Sequence, residues 1–317
     1  MSPEIKMTSL PRPLRGVYPP MITPLLAPDR LDVAGLERLI EHILGGGCNG
    51  LFILGTTGEG PALSYRVRRE VIDRSCRQVA GRIPVLVGIT DTAFGESVDL
   101  AEYACKAGAQ AAAVAPPYYF DASQAELLGY YERLAAALPF PMYLYNAPLY
   151  TGHSLAVKTV RDAANIPGVL GIKDSSSNMI YFHSLVHAFR DRPDFTLLVG
   201  PEELMAEAVL LGGHGGMCGG SNICPQLYTS LYAAAARRDL TEVNRLQERV
   251  MHISTTIYHV TNDPSAYVAG MKCAVSLLGI CSDTLAEPFR AFDAAQRKQV
   301  RRHLEAAELL PHGAVQA

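Results

Sequence analysis

The chain has 317 residues, of which 49% are apolar and 19% charged, and its formal net charge is −3. This composition supplies a large hydrophobic core, and the length suits one α/β barrel or two smaller domains. The small negative charge gives no sign of nucleic acid or an anionic membrane as a partner. No apolar stretch approaches the length of a membrane span, and residues 1–15 show no apolar segment of a signal peptide.

The seven cysteines are scattered along the chain and form no C-x-x-C pair. An odd number of isolated cysteines in a chain of this length is typical of a reduced, cytoplasmic protein. A disulfide framework or a zinc ribbon is therefore not expected. His183 and His187 are four residues apart, but no third ligand accompanies them, so we predict no metal site.

Eight short apolar runs alternate with amphipathic segments, which predicts parallel strands covered by helices. Eight such units favour a closed (β/α)8 TIM barrel over a doubly wound sheet. No G-x-G-x-x-G follows the first strand, which argues against a dinucleotide-binding fold. The predicted strands are 16–22, 50–54, 84–89, 111–114, 142–145, 169–172, 196–199 and 215–218.

After about residue 236 the strand patterns stop, and three further helices are predicted at 239–260, 264–278 and 292–309. The predicted organisation is an N-terminal tail, a barrel, a C-terminal helical extension and a C-terminal tail. Their bounds are 1–13, 14–236, 237–310 and 311–317.

The second predicted strand leads into Gly55-Thr56-Thr57-Gly58-Glu59. In a TIM barrel the chemistry lies at the carboxyl ends of the strands. Gly55 and Gly58 allow a sharp turn with free N–H groups, and two threonine hydroxyls join them. Such a turn suits a carboxylate or a phosphate. An ordinary connection between strand and helix is the alternative.

The sixth predicted strand leads into Lys173-Asp174-Ser175. A lysine in a barrel mouth is desolvated, and its neutral amine can attack a carbonyl carbon to form a Schiff base. The alternative is a structural ion pair with Asp174 or with another carboxylate. Four other lysines fall in helical patterns, where a solvated or snorkelling position is expected: Lys106, Lys158, Lys272 and Lys298.

Other strand ends also carry polar or small residues. Tyr145 ends the fifth strand and could relay protons beside an amine, although a strand tyrosine is more often part of the core. Tyr119 follows the fourth strand with the same ambiguity. The seventh and eighth strands lead into Gly200-Pro201-Glu202-Glu203 and Gly219-Gly220-Ser221-Asn222.

Taken in order, these motifs resemble the dihydrodipicolinate synthase / N-acetylneuraminate lyase family of class I aldolases. The resemblance spans about residues 14–310 and rests on the Gly-Thr-Thr-Gly-Glu turn, on Tyr145-Asn146-Ala147-Pro148 with Thr151-Gly152, and on Gly171-Ile172-Lys173-Asp174. It implies a (β/α)8 barrel with extra C-terminal helices, commonly a homotetramer, that needs no metal or organic cofactor.

The resemblance also implies roles for individual residues. Lys173 would form the imine with pyruvate or another 2-oxo acid, and Tyr145 would shuttle the proton. Thr56 would link Tyr145 to Tyr119 of a neighbouring subunit. Thr57 would hold the substrate carboxylate, with Gly58 in the same turn, while Gly200 and Met217 would line the other side.

One position departs from the synthase pattern. Synthases of the family usually have an arginine just before the Thr-Gly that follows Tyr-Asn-x-Pro, where it holds the carboxylate of aspartate semialdehyde. This chain has Tyr150 there, and a tyrosine cannot form a charged bidentate clamp. Conversely, Glu202 and Glu203 stand where sugar-acid lyases accept hydrogen bonds from hydroxyls, and Ser175 and Ser221 resemble those of 2-keto-3-deoxy sugar acid aldolases.

The sequence is therefore interpreted as a cytoplasmic class I aldolase. It would reversibly cleave a 2-keto-3-deoxy or 4-hydroxy-2-oxo acid to pyruvate and an aldehyde. The alternatives within the family are 4-hydroxy-tetrahydrodipicolinate synthase, from pyruvate and aspartate semialdehyde, and a dehydratase or deaminase that uses the same imine. A non-catalytic protein that binds a 2-oxo acid would not need the lysine, tyrosine and threonine together.

Overall fold

The computed structural model describes residues 10–310. Eight parallel strands form one sheet in the order β1-β8-β7-β6-β5-β4-β3-β2. The strands are β1 (Gly16–Val17), β2 (Leu51–Ile53), β3 (Val85–Gly88), β4 (Ala111–Val114), β5 (Met142–Asn146), β6 (Val169–Asp174), β7 (Thr196–Val199) and β8 (Gly215–Gly216).

The segment after β1 closes the sheet into a barrel. Pro20 forms a parallel bridge with Phe52 of β2. The Met21 amide donates to the Phe52 carbonyl at 2.9 Å, and the Phe52 amide donates to the Pro19 carbonyl at the same distance. The predicted (β/α)8 barrel is thus confirmed. An antiparallel hairpin, Leu25–Ala27 with Arg30–Leu31, follows the closing segment.

Helices cover the outside of the barrel and continue beyond it. They are α1 (Val33–Gly45), α2 (Tyr65–Val79), α3 (Phe94–Ala107), α4 (Gln124–Ala137), α5 (Pro148–Thr151), α6 (Val157–Ala163), α7 (Met179–Ala188), α8 (Met205–Leu210), α9 (Pro225–Ala236), α10 (Leu240–Ile257), α11 (Ala266–Leu277) and α12 (Ala294–Ala306). A capping box of Ser123 and Glu126 opens α4.

Alternation along the strands sorts the side chains into two cores. In β5, Met142 and Leu144 pack toward the helices, whereas Tyr143 and Tyr145 belong to the core inside the barrel with Phe52. Alternation alone puts the two tyrosines on one side of the strand, and the structure shows that this side faces the inside of the barrel. The same alternation carries Lys173 of β6 into the barrel.

All eight predicted strands are present. β1 and β8 are much shorter than predicted, β2 and β3 lack one residue at each end, and β5 and β6 continue past their predicted ends. The three helices of the C-terminal extension are present as α10, α11 and α12, and the predicted boundary at 236/237 falls between α9 and α10. The predicted tails at 1–13 and 311–317 lie mostly or wholly outside the described residues.

The expectation that Lys272 is solvated is wrong. Ten of the twelve residues of α11 are buried, so this helix has no broad solvated face. The Lys272 side chain is 0% exposed and forms an ion pair with Glu59, whose side chain is 1% exposed. A buried carboxylate thus takes the place of water around the ammonium group.

All seven cysteines have free thiols. Among residues 10–310, no helix is long and apolar enough to cross a membrane.

Candidate active site

A cavity of about 470 Å³ opens at the carboxyl ends of the barrel strands. It brings together residues from the ends of β2, β5, β6, β7 and β8 and from the C-terminal extension. Ten of the predicted site residues line it: Thr56, Thr57, Tyr145, Tyr150, Lys173, Ser175, Gly200, Glu202, Glu203 and Met217.

Lys173 lies near the end of β6, between Tyr145 of β5 and Leu198 of β7 in the strand register. Its side chain is buried, and Nζ lies 4.2 Å from the centre of the Tyr145 ring and 4.9 Å from that of Phe52. The amine therefore faces aromatic rings at one end of the cavity. Both rings lie within the distance of a cation–π contact with the amine.

The neighbouring carboxylate does not neutralise Lys173. Asp174 points to the other face of the strand, where its side chain accepts hydrogen bonds from Asn146 Nδ2 at 2.8 Å and from Ser176 Oγ at 2.9 Å. The structural ion pair that the sequence left open is therefore not formed with Asp174. The amine of Lys173 remains available to a substrate.

Tyr145 connects Lys173 to the threonine turn. Its hydroxyl lies 3.2 Å from Thr56 Oγ1. Burial raises the pKa of Tyr145, but the charge on Lys173 and hydrogen bonds from Thr56 and Ser175 outweigh this effect and hold the pKa below its ordinary value. A phenol with a lowered pKa beside an amine is suited to accept and return a proton.

The turn 55–58 presents Thr57 to the cavity, where its Oγ1 lies 3.5 Å from the Tyr267 hydroxyl. Gly58 does not line the cavity. Its carbonyl accepts a hydrogen bond from Thr23 Oγ1 at 2.7 Å, and a Cβ at this position would lie 2.9 Å from the Met21 carbonyl oxygen. Gly58 thus shapes the turn by close backbone packing.

Gly200 leaves the space that Lys173 needs. A Cβ at position 200 would lie 1.9 Å from Ser175 Oγ and 3.2 Å from Lys173 Cε. The Gly200 amide donates to the Asp174 carbonyl at 2.7 Å, which fixes the loop after β7 against β6. A side chain at this position would therefore displace the Ser175 hydroxyl and crowd the Lys173 side chain.

Glu202 is held by groups of the protein itself. Its Oε1 accepts hydrogen bonds from the hydroxyls of Tyr228 at 2.5 Å and Tyr258 at 2.9 Å, and its Oε2 accepts one from the Gly220 amide at 2.7 Å. Burial and, to a lesser extent, the charge on Glu203 raise the pKa of Glu202 to about 7. Both oxygens thus already have donors within the protein, which makes Glu202 less suited than Glu203 to the predicted role of accepting hydrogen bonds from substrate hydroxyls.

Glu203 is half-buried and lines the outer part of the cavity, where its Oε1 contacts Ser254 Oγ. The C-terminal extension supplies further polar residues here, which the sequence reasoning missed. The polar segment between two predicted helices, 261–263, was a signal for three of them, whereas the other two fall inside the predicted helix 239–260. The residues are Ser254, His259, Thr261, Asn262 and Asp263.

No arginine side chain lines this cavity within residues 10–310. Tyr150 occupies the predicted position in the wall and is 54% exposed. The outer part of the cavity is therefore rich in hydroxyl, amide and carboxylate groups and offers no guanidinium.

Tyr119 and Ser221 lie outside the cavity. Tyr119 is 85% exposed, has a φ of 89°, and packs its ring edge-on against Phe120. Ser221 is buried in the 3-10 turn Gly219–Asn222. A second cavity of about 270 Å³, largely apolar, lies beside Thr56 and Tyr145.

A sequence model of the Dihydrodipicolinate synthetase family matches residues 13–307. The chain belongs to this family. The match confirms the resemblance drawn from the strand-end motifs, and the protein is a lyase of the aldolase type. Within residues 10–310, no group of three or more His, Cys, Asp or Glu side chains is placed to hold a metal ion.

Relatives of two kinds are similar to the chain. The putative 2-dehydro-3-deoxy-D-gluconate aldolase YagE of Escherichia coli is 30% identical over 299 residues, which cover 93% of this chain and 97% of YagE. The 4-hydroxy-tetrahydrodipicolinate synthase of Kosmotoga olearia is 30% identical over 292 residues, with 92% and 97% covered.

Solved structures of the same two kinds of protein are similar to the chain. The dihydrodipicolinate synthase of Bacteroides thetaiotaomicron matches with a TM-score of 0.92 at 53% identity, covering 94% of this chain and 100% of that one. YagE in complex with pyruvate matches with a TM-score of 0.88 at 29% identity, covering 93% and 99%.

Proposed function

We propose that the protein is a class I aldolase that reversibly cleaves a 2-keto-3-deoxy sugar acid, or a related 4-hydroxy-2-oxo acid, to pyruvate and an aldehyde. The observation that carries this proposal is a buried lysine amine beside a tyrosine of lowered pKa, in a polar cavity without an arginine. The crystallised complex of YagE with pyruvate supports pyruvate as one product.

In this mechanism the Lys173 amine attacks the C2 ketone of the substrate, and water leaves as the imine forms. Tyr145 gives its proton to the departing hydroxyl, which leaves as this water, so that the imine is protonated and the tyrosine is a phenolate. The phenolate then accepts the proton of the C4 hydroxyl. The C3–C4 bond then breaks, its electron pair moves toward the imine nitrogen, and the aldehyde departs. The enamine regains a proton at C3, and water releases pyruvate and the free lysine.

The turn and the opposite wall orient the 2-oxo acid in this proposal. Thr57, through its hydroxyl and backbone N–H, holds the carboxylate. Gly200 and Met217 line the other side of the pyruvate half, beside Ser175. Thr56 holds the Tyr145 hydroxyl at 3.2 Å, so that the phenol faces the reacting carbons.

The outer part of the cavity selects the aldehyde half. Glu203, Ser254 and Asn262 offer acceptors and donors to a hydroxylated chain. Aspartate semialdehyde carries a carboxylate that would find no guanidinium there. The loss of a charge-assisted bidentate contact costs about 2–4 kcal/mol, which is roughly 30- to 1000-fold in discrimination.

A side-by-side measurement tests this choice. Pyruvate release from 2-keto-3-deoxygluconate and condensation of pyruvate with aspartate semialdehyde are compared through kcat/KM. Sugar acid cleavage is expected to be favoured, and Tyr150→Arg is expected to shift the ratio toward aspartate semialdehyde. Tyr150→Phe is the matched control, because it keeps the ring without adding charge. Preference of the unaltered enzyme for aspartate semialdehyde would identify it as a synthase instead.

The proposal includes a homotetramer in the cytoplasm, with no nucleic acid or membrane partner. Tyr119 is highly exposed on its own subunit, while the apolar cavity beside Thr56 has room for an aromatic side chain. Tyr119 of a neighbouring subunit would enter there and extend the proton relay from Thr56. Neither a metal nor an organic cofactor is needed for this chemistry.

A further inference from the structure

The threonine turn is bounded by two residues in an unfavourable backbone conformation. Leu54 has a φ of 59° and Glu59 a φ of 55°, a left-handed region that residues with a Cβ seldom adopt. Such conformations persist only where the surrounding structure enforces them. The turn that carries Thr56 and Thr57 therefore needs an external restraint.

Glu59 connects the turn to a different part of the chain and so provides this restraint. Its carboxylate pairs with Lys272 of α11, and neither side chain is more than 1% exposed. Glu59 Oε1 also accepts a hydrogen bond from the Ala286 amide at 2.8 Å, while Lys272 Nζ donates to the Thr284 carbonyl at 2.8 Å. The end of the turn is thus anchored at several points to the C-terminal extension.

Backbone hydrogen bonds connect Glu59 to the part of the turn that contains the threonines. The Glu59 amide donates to the Thr56 carbonyl at 3.0 Å, and the Gly60 amide donates to the Gly55 carbonyl at 3.2 Å. A Cβ at position 60 would lie 2.1 Å from the Leu54 carbonyl oxygen, so the two ends of the turn are tightly packed. A shift of Glu59 would therefore move Thr56 with it.

Thr56 in turn sets the state of Tyr145, because its hydroxyl lies 3.2 Å from the phenol oxygen. We propose that Glu59 and Lys272 are positioning residues for the Thr56–Tyr145 proton relay, and that the C-terminal extension controls proton transfer through them. This inference rests on one part of the proposed function, namely that Lys173 forms an imine with pyruvate and Tyr145 transfers the proton.

The test uses pyruvate alone and two variants of the full-length protein that keep the interior charge-balanced. Glu59→Gln with Lys272→Met makes both partners neutral. Glu59→Asp keeps both charges but shortens the reach by one methylene group. Imine formation is measured by borohydride trapping, and proton transfer by exchange of the pyruvate methyl protons with D2O, followed by NMR across a range of pH.

Both variants are expected to trap pyruvate as the unaltered protein does. Their exchange is expected to be slower by about tenfold or more, on the scale of general acid–base catalysis. The limb of the pH profile that reports Tyr145 should move to higher pH, because the Thr56 hydrogen bond that lowers the Tyr145 pKa is weakened.

Arg297→Met is the matched control. Arg297 pairs with Asp283 within the C-terminal extension, and its loss leaves the Glu59–Lys272 pair in place. Exchange at the unaltered rate and pH in both test variants would overturn the inference, as would failure of both to fold, since the pair would then be only a folding element. A lack of trapping or exchange in the unaltered protein would instead refute the proposed function.

Discussion

Replacing Glu202 by Gln tests whether the carboxyl group at the end of β7 titrates near neutral pH. Burial raises the pKa of Glu202 to about 7, from an ordinary value of 4.5. The folded protein therefore binds this proton more tightly than the unfolded chain does between those two values. The free energy of unfolding should fall as pH rises through this interval and level off above it.

The difference between the two pKa values determines how much the free energy of unfolding changes. At about 1.4 kcal/mol per pH unit, a rise from 4.5 to about 7 corresponds to about 3 kcal/mol of stability lost on going from acid to alkaline pH. A glutamine stays neutral throughout. Its amide can still accept from the Gly220 N–H and donate to the hydroxyl of Tyr228 or Tyr258. Glu202→Gln should therefore exceed the unaltered protein in stability only slightly near pH 5 and by most of this amount near pH 8.

Urea denaturation at fixed protein concentration, repeated between pH 5 and 8, measures this difference. Glu203→Gln is expected to flatten the slope in part, because the charge on Glu203 contributes to the raised pKa. Glu248→Gln, at an exposed position of α10, should leave the slope unchanged. Parallel stability curves for Glu202→Gln and the unaltered protein would refute the reasoning.

Three further substitutions test the roles of single residues. Tyr119→Phe should lower turnover by about 10²-fold while the barrel stays folded, and light scattering that finds a fully active monomer would contradict its role across an interface. Thr56→Val should slow exchange of the pyruvate methyl protons with D2O much more than it slows imine trapping; equal effects would contradict the relay. Glu203→Ala should raise KM for hydroxylated substrates while leaving the pyruvate concentration needed for trapping unchanged, and unaltered KM would remove Glu203 from the acceptor site.

The barrel and one half of the site follow from local sequence patterns. Strands buried on both faces appear as continuous apolar runs, and a polar residue at the end of such a run has few structural explanations. Lys173 and Thr56 were found in this way. Strand alternation requires Tyr143 and Tyr145 to share a face, although only the structure shows that this face lies inside the barrel.

The other half of the site depends on contacts between distant parts of the chain. The residues around Lys272 in the sequence predict an ordinary helical lysine, because its partner Glu59 lies far away along the chain. Tyr267 and Ser254 reach the cavity only because the C-terminal extension folds over the barrel mouth. The choice between Glu202 and Glu203 could not be made from sequence, since it depends on Tyr228 and Tyr258, which follow much later.

Reduction of the pyruvate imine with borohydride tests the central claim most directly. Protein incubated with pyruvate and borohydride is digested, and the modified peptide is mapped by mass spectrometry. The expected result is one adduct, on Lys173, with complete loss of activity. Lys173→Arg should form no adduct and be inactive, because a guanidinium stays protonated and cannot attack the ketone. An adduct on another lysine, or no adduct at all in the unaltered protein, would contradict the account.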